Sequence, residues 1–325
     1  MNKSVLALEP LQPELMARLQ DRLTVRVAVG TSPLELEREV QEVHGVIVRL
    51  KPLPASVIEA GRRLEVIGRT GAGVDNIDVG AATARAIPVV FVPEANSNSV
   101  AEYVVGAILM LARHSLTLDR EVRTGNWAVR DRWVGHELNG KTLGLIGLGK
   151  IGTRVAKICR AAFEMKVTAY DPYLSNEAAK RIDVQRTESL DALLQQADVV
   201  SIHVPLTAET KGLIGERELS LMKPTAYLVN AARGSIVDDE ALFRRLQEKG
   251  IAGAALDVFS VEPPDASHPL FRLPQVVVSP HIAGVTRDST ERMARTLAQD
   301  VLTVLSGGRP RYLANPELFA GQGEP

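Results

Sequence analysis

Leu143-Gly144-Leu145-Ile146 runs directly into Gly147-Leu148-Gly149-Lys150-Ile151-Gly152, and a helix-length segment, Thr153–Ala162, follows. This is G-x-G-x-x-G placed between a strand and a helix. In that setting Gly147 permits the tight turn, Gly149 lets backbone approach a pyrophosphate, and Gly152 lets helix and strand pack closely. Free N–H groups and the helix dipole then face the phosphates. Asp171 lies 19 residues after Gly152, at the end of the next strand, Lys166–Tyr170. A carboxylate there accepts hydrogen bonds from an adenosine ribose diol and repels a 2′-phosphate. Pro172 and Tyr173 follow, with no adjacent arginine, so the pattern favours NAD over NADP. Gly144-x-x-x-x-Gly149-Lys150 also approaches a nucleoside-triphosphate loop. That loop needs Ser or Thr next to hold magnesium, and the residue is Ile151.

Outward from this loop, short Val- and Ile-rich runs alternate with amphipathic helical stretches. Strands are expected at Val5–Leu8, Val25–Val29, Val46–Leu50, Leu64–Ile67 and Val89–Val92. A second series covers Thr142–Ile146, Lys166–Tyr170, Val199–Ile202, Ala226–Val229, Gly253–Leu256 and Val276–Ser279. Continuous apolar strands between helices imply parallel sheets covered on both faces. The fold class is therefore α/β, with two doubly wound parallel-sheet domains. A long apolar helix, Ser99–His114, is expected between the two series, with Asn98 or Ser99 as its cap and Glu102 as the capping-box acid. The polar stretch Thr124–Glu137 after it carries both tryptophans, Trp127 and Trp133. The last helix is expected at Asp288–Leu305, ended by Gly307-Gly308 and Pro310.

Composition narrows the function. At 325 residues two domains are expected. Lys and Arg total 38 against 39 Asp and Glu, a balance that argues against nucleic-acid or anionic-membrane binding. The single cysteine, Cys159, excludes an internal disulfide and a cysteine zinc site, and it reads as buried and inert. His136-Glu137 lacks a second histidine at position 140, which is Gly140, so no metal is expected. The longest apolar run, Val104–Ala112, is too short for a bilayer, and the N-terminus lacks a signal-peptide core, so a cytoplasmic protein is expected.

Further segments carry a resemblance. They are Gly71-Ala72-Gly73-Val74-Asp75-Asn76-Ile77-Asp78, Ser99-Val100-Ala101-Glu102, Asn230-Ala231-Ala232-Arg233-Gly234-Ser235-Ile236-Val237-Asp238, Ala254–Pro263 and Ser279-Pro280-His281-Ile282-Ala283-Gly284. With the glycine loop, they closely resemble the D-isomer-specific 2-hydroxyacid dehydrogenases, over about residues 46–290. The Arg49 region and residues 64–78 look most like the phosphoglycerate dehydrogenase branch, with hydroxypyruvate/glyoxylate reductases and sulfolactate dehydrogenases as close rivals. The resemblance implies a Rossmann NAD-binding domain, 97–285, inserted in a flavodoxin-like substrate domain built from 1–96 and 286–325. It also implies an active site in the cleft between them. The chain stops about 15 residues after Pro310, so the short form without a C-terminal regulatory domain is expected.

Hydride transfer to a 2-keto acid needs a held carboxylate, a polarised ketone and a proton. The guanidinium fork of Arg233 meets the first two demands. His281 meets the third, because imidazole gives and takes a proton near neutral pH. Glu262 orients that ring and favours its charged form. The resemblance assigns Arg233, Glu262 and His281 as the catalytic triad. It implies cofactor contacts at Gly147, Gly149, Lys150, Ile151, Gly152, Asp171, His203, Val204, Pro205, Ala231, Ala232, Arg233, Asp257, His281 and Gly284. His203 is read as a wall of the cofactor site and not as a proton donor, and Asp257 as acceptor for the carboxamide. Arg49, Arg69, Ala72 and Gly73, with Arg233 and His281, are the substrate candidates. Arg49, Lys51 and Arg69 suit a phosphate or sulfonate tail, and solvated surface charge is the alternative. Asp75 and Asp78 read as turn and helix caps. The expected partners are a small 2-hydroxy or 2-keto acid and a second copy of the chain, paired through the apolar helix and the tryptophan arm. An NADP-linked glyoxylate reductase and a cofactor-binding corepressor without turnover stay open as alternatives.

Overall fold

The computed structural model describes residues 3–320. The chain divides into two compact units, Met1–Asn96 with Val285–Pro325, and Ser97–Gly284. The second boundary falls one residue before the one that the motifs suggest, and the terminal residues beyond 320 lie outside the described residues.

The first unit holds strands β1 (Ser4–Ala7), β2 (Thr24–Val27), β3 (Gly45–Val48), β4 (Val66–Arg69) and β5 (Val89–Val90). They form a parallel sheet in the order β2-β1-β3-β4-β5. β3 and β4 are buried along their whole length, whereas the edge strand β2 alternates exposed and half-buried residues. That contrast follows the apolar runs in the sequence. The C-terminal helix Arg287–Leu305 returns to this sheet. It buries Met293, Ala294, Leu297, Ala298, Val301, Val304 and Leu305, a single stripe at helical spacing. A Cβ on Gly68 of β4 would lie within 3.0 Å of Ile47 and Val301 side chains, so glycine is what lets the helix come this close. Asp78 caps the helix Val79–Ala84 by accepting from the Ala81 N–H at 2.8 Å.

The second unit holds β6 (Thr142–Ile146), β7 (Lys166–Tyr170), β8 (Gln185–Arg186), β9 (Val199–Ile202), β10 (Tyr227–Asn230), β11 (Gly253–Leu256) and β12 (Val276–Val278). Their parallel order is β12-β11-β10-β9-β6-β7-β8. The order reverses between β6 and β9, the topological switch point beyond whose carboxyl ends ligands of open α/β sheets bind. β8 escaped the sequence reading because it is short and polar, with no apolar run to mark it. The helix Ser97–Ala112 begins two residues earlier than expected, so Asn98 and Ser99 stand in its first turn and do not cap it. It ends at Ala112, and His114, in a left-handed conformation (φ 52°), starts a separate helix, Ser115–Arg123. The tryptophan arm is partly ordered by a 3-10 turn, Trp127–Asp131, and Trp133 packs its ring on His114. Cys159 is fully buried, and burial pushes its thiol up to about 12. Among the described residues no helix is long and apolar enough to cross a membrane.

Candidate active site

The loop after β6 is built by the glycines that the motif singles out. Gly147 has φ +91°, and a Cβ there would meet the His203 carbonyl oxygen and the Val204 side chain at 2.8 Å. A Cβ on Gly152 would sit 2.6 Å from the Gly147 oxygen, so helix Lys150–Phe163 packs directly on the turn. A Cβ on Gly149 would meet nothing within 4 Å. That open space, at the start of a 14-residue helix without a side-chain cap, fits a pyrophosphate. Asp171 follows β7. Its Oδ2 accepts from the Leu148 N–H and its Oδ1 from the Tyr173 N–H, both at 2.9 Å. Each oxygen keeps a second lone pair for a ribose hydroxyl.

His203 follows β9, beside this loop. Its Nε2 lies 3.0 Å from the buried Ser201 hydroxyl, and burial brings its pKa down to about 4. The ring is neutral at pH 7 and is a poor proton donor there.

Arg233, Asp257 and His281 follow β10, β11 and β12, three neighbouring strands. Asn230, 1% exposed at the end of β10, braces the first of these turns from both sides. Its Oδ1 accepts from the Ala232 N–H (3.0 Å), and its Nδ2 donates to the Arg233 carbonyl (2.9 Å). The Arg233 guanidinium donates to the Ala232 carbonyl at 2.7 Å. Gly234 then packs flat on the backbone of Phe259 and Ser260; a Cβ there would fall 1.9 Å from the Phe259 carbonyl carbon. This contact brings the Glu262 loop onto the Arg233 turn.

Glu262 accepts from the Phe259 N–H through Oε1 (3.0 Å), and its Oε2 lies 2.7 Å from His281 Nδ1. Burial alone would raise the Glu262 carboxyl. The bonds from His281 and Phe259 and the charges of His281 and Arg233 outweigh it and hold the group below the ordinary range. Glu262 is thus ionised at neutral pH, bonded to His281 and within the field of Arg233. With Nδ1 engaged, Nε2 is the ring nitrogen left for a substrate. Asp257 is 1% exposed and accepts from the Ser279 hydroxyl and the Ile282 and Ala283 N–H groups. One lone-pair position remains on Oδ2 for a further donor.

A carboxylate-bound imidazole and a neighbouring guanidinium, above a dinucleotide loop, agree with what the whole chain is similar to. Residues 105–283 match the model of the D-isomer specific 2-hydroxyacid dehydrogenase, NAD binding domain. The chain belongs to this family. It is 44% identical over 313 residues to a D-3-phosphoglycerate dehydrogenase of Archaeoglobus fulgidus, an alignment covering 96% of this chain and 59% of the relative. The chain thus spans about three-fifths of that relative's length. A glyoxylate reductase of Thermofilum pendens is 42% identical over 292 residues, covering 88% of this chain and 85% of the relative. Among solved structures, an NADPH-dependent glyoxylate/hydroxypyruvate reductase of Sinorhizobium meliloti, in complex with NADP and malonate, superposes with a TM-score of 0.89. It is 27% identical, and the match covers 100% of both chains.

In this family member the substrate candidates of the first unit stand in unlike surroundings. Arg49 is exposed, whereas Arg69 is 7% exposed and donates through Nε to Asn76 Oδ1 at 3.1 Å. Asn76 also donates to the Arg49 and Lys51 carbonyls, tying the two loops together. A solvated-surface reading therefore fails for Arg69. Ala72 and Gly73 are half-buried in the turn after β4. The N–H groups of Arg49, Leu50 and Lys51 converge on one Glu9 oxygen at 3.1, 2.7 and 3.0 Å. This nest lies at the β1/β3 switch point and already holds an anion. Sequence reasoning passed over Glu9, Asn76 and Asn230. Asn76 and Asn230 stand inside the quoted motifs, where an amide among glycines and alanines is the available signal; Glu9 has none. Thr70 Oγ1 and Asn96 Oδ1, also overlooked, are buried in the same unit without a partner.

Proposed function

We propose that this chain is an NAD-dependent D-2-hydroxyacid dehydrogenase, interconverting a small 2-hydroxy acid and its 2-keto acid. The observation that carries the reading is the Glu262–His281 pair at 2.7 Å, within the field of Arg233. Bound NAD supplies or takes the hydride. Arg233 grips the substrate carboxylate and draws electron density toward the ketone oxygen. His281 Nε2 hands its proton to that oxygen in reduction and takes it back in oxidation. Glu262 holds the ring by Nδ1 and places its negative charge beside it. Gly147, Gly149, Lys150, Ile151 and Gly152 hold the pyrophosphate, and Asp171 the ribose. His203, Val204, Pro205, Ala231, Ala232 and Gly284 line the rest, and the remaining Asp257 lone pair takes the carboxamide. Arg49, Arg69, Ala72 and Gly73 serve the substrate.

The names of the relatives point to the pair 3-phosphoglycerate/phosphohydroxypyruvate, or to hydroxypyruvate or glyoxylate, as substrate. A panel of hydroxypyruvate, phosphohydroxypyruvate, glyoxylate, sulfopyruvate and pyruvate, each with NADH and with NADPH, tests the reading. Turnover of at least one C2 or C3 keto acid with NADH preferred is expected. No turnover with any of them rejects the enzyme and favours a corepressor. A preference for NADPH, the cofactor on which the Sinorhizobium reductase depends, rejects the Asp171 reading.

Glu262→Gln keeps the shape and removes the charge beside the ring. Oxidation needs the neutral imidazole. The acidic limb of the kcat-against-pH profile for oxidation is therefore expected to move to lower pH. An unmoved limb would separate Glu262 from the proton transfer.

The assembly we assign is a homodimer acting in the cytoplasm. Leu109, Leu116, Val122, Trp127 and Val134, all exposed large apolar residues, fall within one stretch of the second unit. Exposed apolar residues in this stretch support association through it.

A further inference from the structure

We propose that Tyr103 is a positioning residue for His281, acting through Ser279 and Asp257. Its kinetic arm rests on the dehydrogenase reading above; its structural arm does not.

His281 stands in a left-handed backbone conformation, φ 52°, uncommon for side-chain-bearing residues. Asp257 binds the loop around it. Its carbonyl accepts from the His281 N–H at 2.7 Å, its Oδ1 from the Ile282 N–H at 2.8 Å, and its Oδ2 from the Ala283 N–H at 2.8 Å. The loop that presents the imidazole thus hangs on one side chain, and any rotation of that carboxylate moves the loop. Two hydroxyls oppose such rotation. Ser279 donates to Oδ1, and the Tyr103 hydroxyl lies 2.6 Å from Ser279 Oγ. A serine hydroxyl has one proton, and here it goes to the carboxylate. Tyr103 must therefore donate to Ser279, and the chain runs one way, from Tyr103 to Ser279 to Asp257.

Burial, helped by the Asp257 charge and opposed by the Ser279 bond, keeps the Tyr103 phenol above its ordinary pKa, so it remains a donor. Tyr103 belongs to the helix Ser97–Ala112, an element apart from β11, β12 and the loop. The chain thereby ties the catalytic loop to a long packed helix. A phenylalanine would fill nearly the same space, so the hydroxyl is the part that matters.

The test compares Tyr103→Phe, Ser279→Ala, the double variant and Ser279→Thr in the full chain. Hydrogen exchange at the Ile282 and Ala283 amides is read alongside kcat and the KM values for NADH and hydroxypyruvate. Tyr103→Phe should speed exchange at both amides and lower kcat roughly three- to tenfold. Ser279→Ala should do more, the double variant no more than Ser279→Ala, and Ser279→Thr, which keeps the hydroxyl, should leave both readouts near wild type. Unchanged exchange in both single variants overturns the proposal. So does an additive loss in the double variant, because Tyr103 would then act by another route. If the wild-type chain turns over no keto acid, the dehydrogenase reading falls, and the exchange rates still decide the role of Tyr103.

Discussion

Replacing His281 with alanine is expected to lower kcat by two or more decades while leaving NADH affinity nearly unchanged. Two decades correspond to about 2.7 kcal/mol of lost transition-state stabilisation, within the range for removal of a positioned acid–base group. The split between kcat and affinity follows from the geometry. His281 leaves β12, whereas the phosphate loop and Asp171 leave β6 and β7 on the other side of the switch point. Steady-state kinetics with the preferred keto acid, paired with a fluorescence titration of NADH, reads both quantities. A His281→Ala chain that keeps kcat within a few-fold of wild type would remove the imidazole from the chemistry.

Arg233→Lys should be almost as damaging, although it conserves charge. A lysine ammonium cannot make the two parallel bonds of a guanidinium to a carboxylate. Its shorter head would also lose the bond to the Ala232 carbonyl that sets the side chain's direction. A fall in kcat/KM of roughly two to three decades is expected, comparable to loss of an oxyanion donor. Both kcat and KM should change, since the same group binds the ground state and stabilises developing charge. Asn230 and Gly234 shape this turn by their own contacts, so thermal stability should stay close to wild type. Near-normal kinetics in the lysine variant would reduce Arg233 to a bare positive charge.

Much of the nucleotide half was legible in the chain alone. β6, β7, β9 and β11 have the bounds that the sequence suggests, because strands buried on both faces are mostly apolar; the buried Thr168 of β7 and Ser201 of β9 interrupt those runs without ending them. The glycine loop was legible for a similar reason, since a positive φ and two close approaches leave glycine as the workable residue at fixed spacing. The catalytic half was less so. Arg233, Glu262 and His281 carry no periodicity, and composition treats them as surface charge; ordered motifs and a resemblance pointed to them. The residues that hold them in place were less legible still. Asn230, Ser279, Tyr103 and Glu9 act through hydrogen bonds to groups distant in the chain or within a turn, and such bonds leave no repeating pattern. The expected cap at Asn98 or Ser99 failed for a related reason. The helix starts at Ser97, and Asn98 Oδ1 instead accepts from Arg154.

By itself, then, the order of residues determined an α/β chain of two parallel sheets, a dinucleotide loop at a strand end, and a carboxylate at the end of the next strand. Those features are local: each depends on neighbours within about twenty positions, where backbone geometry and burial act directly on residue type. Only the folded chain decided which charged groups meet. The strand order sets β10, β11 and β12 side by side, and the bare backbone of Gly234 lets the Glu262 loop settle on the Arg233 turn. One buried carboxylate then binds the two amides that follow His281, itself in the left-handed region.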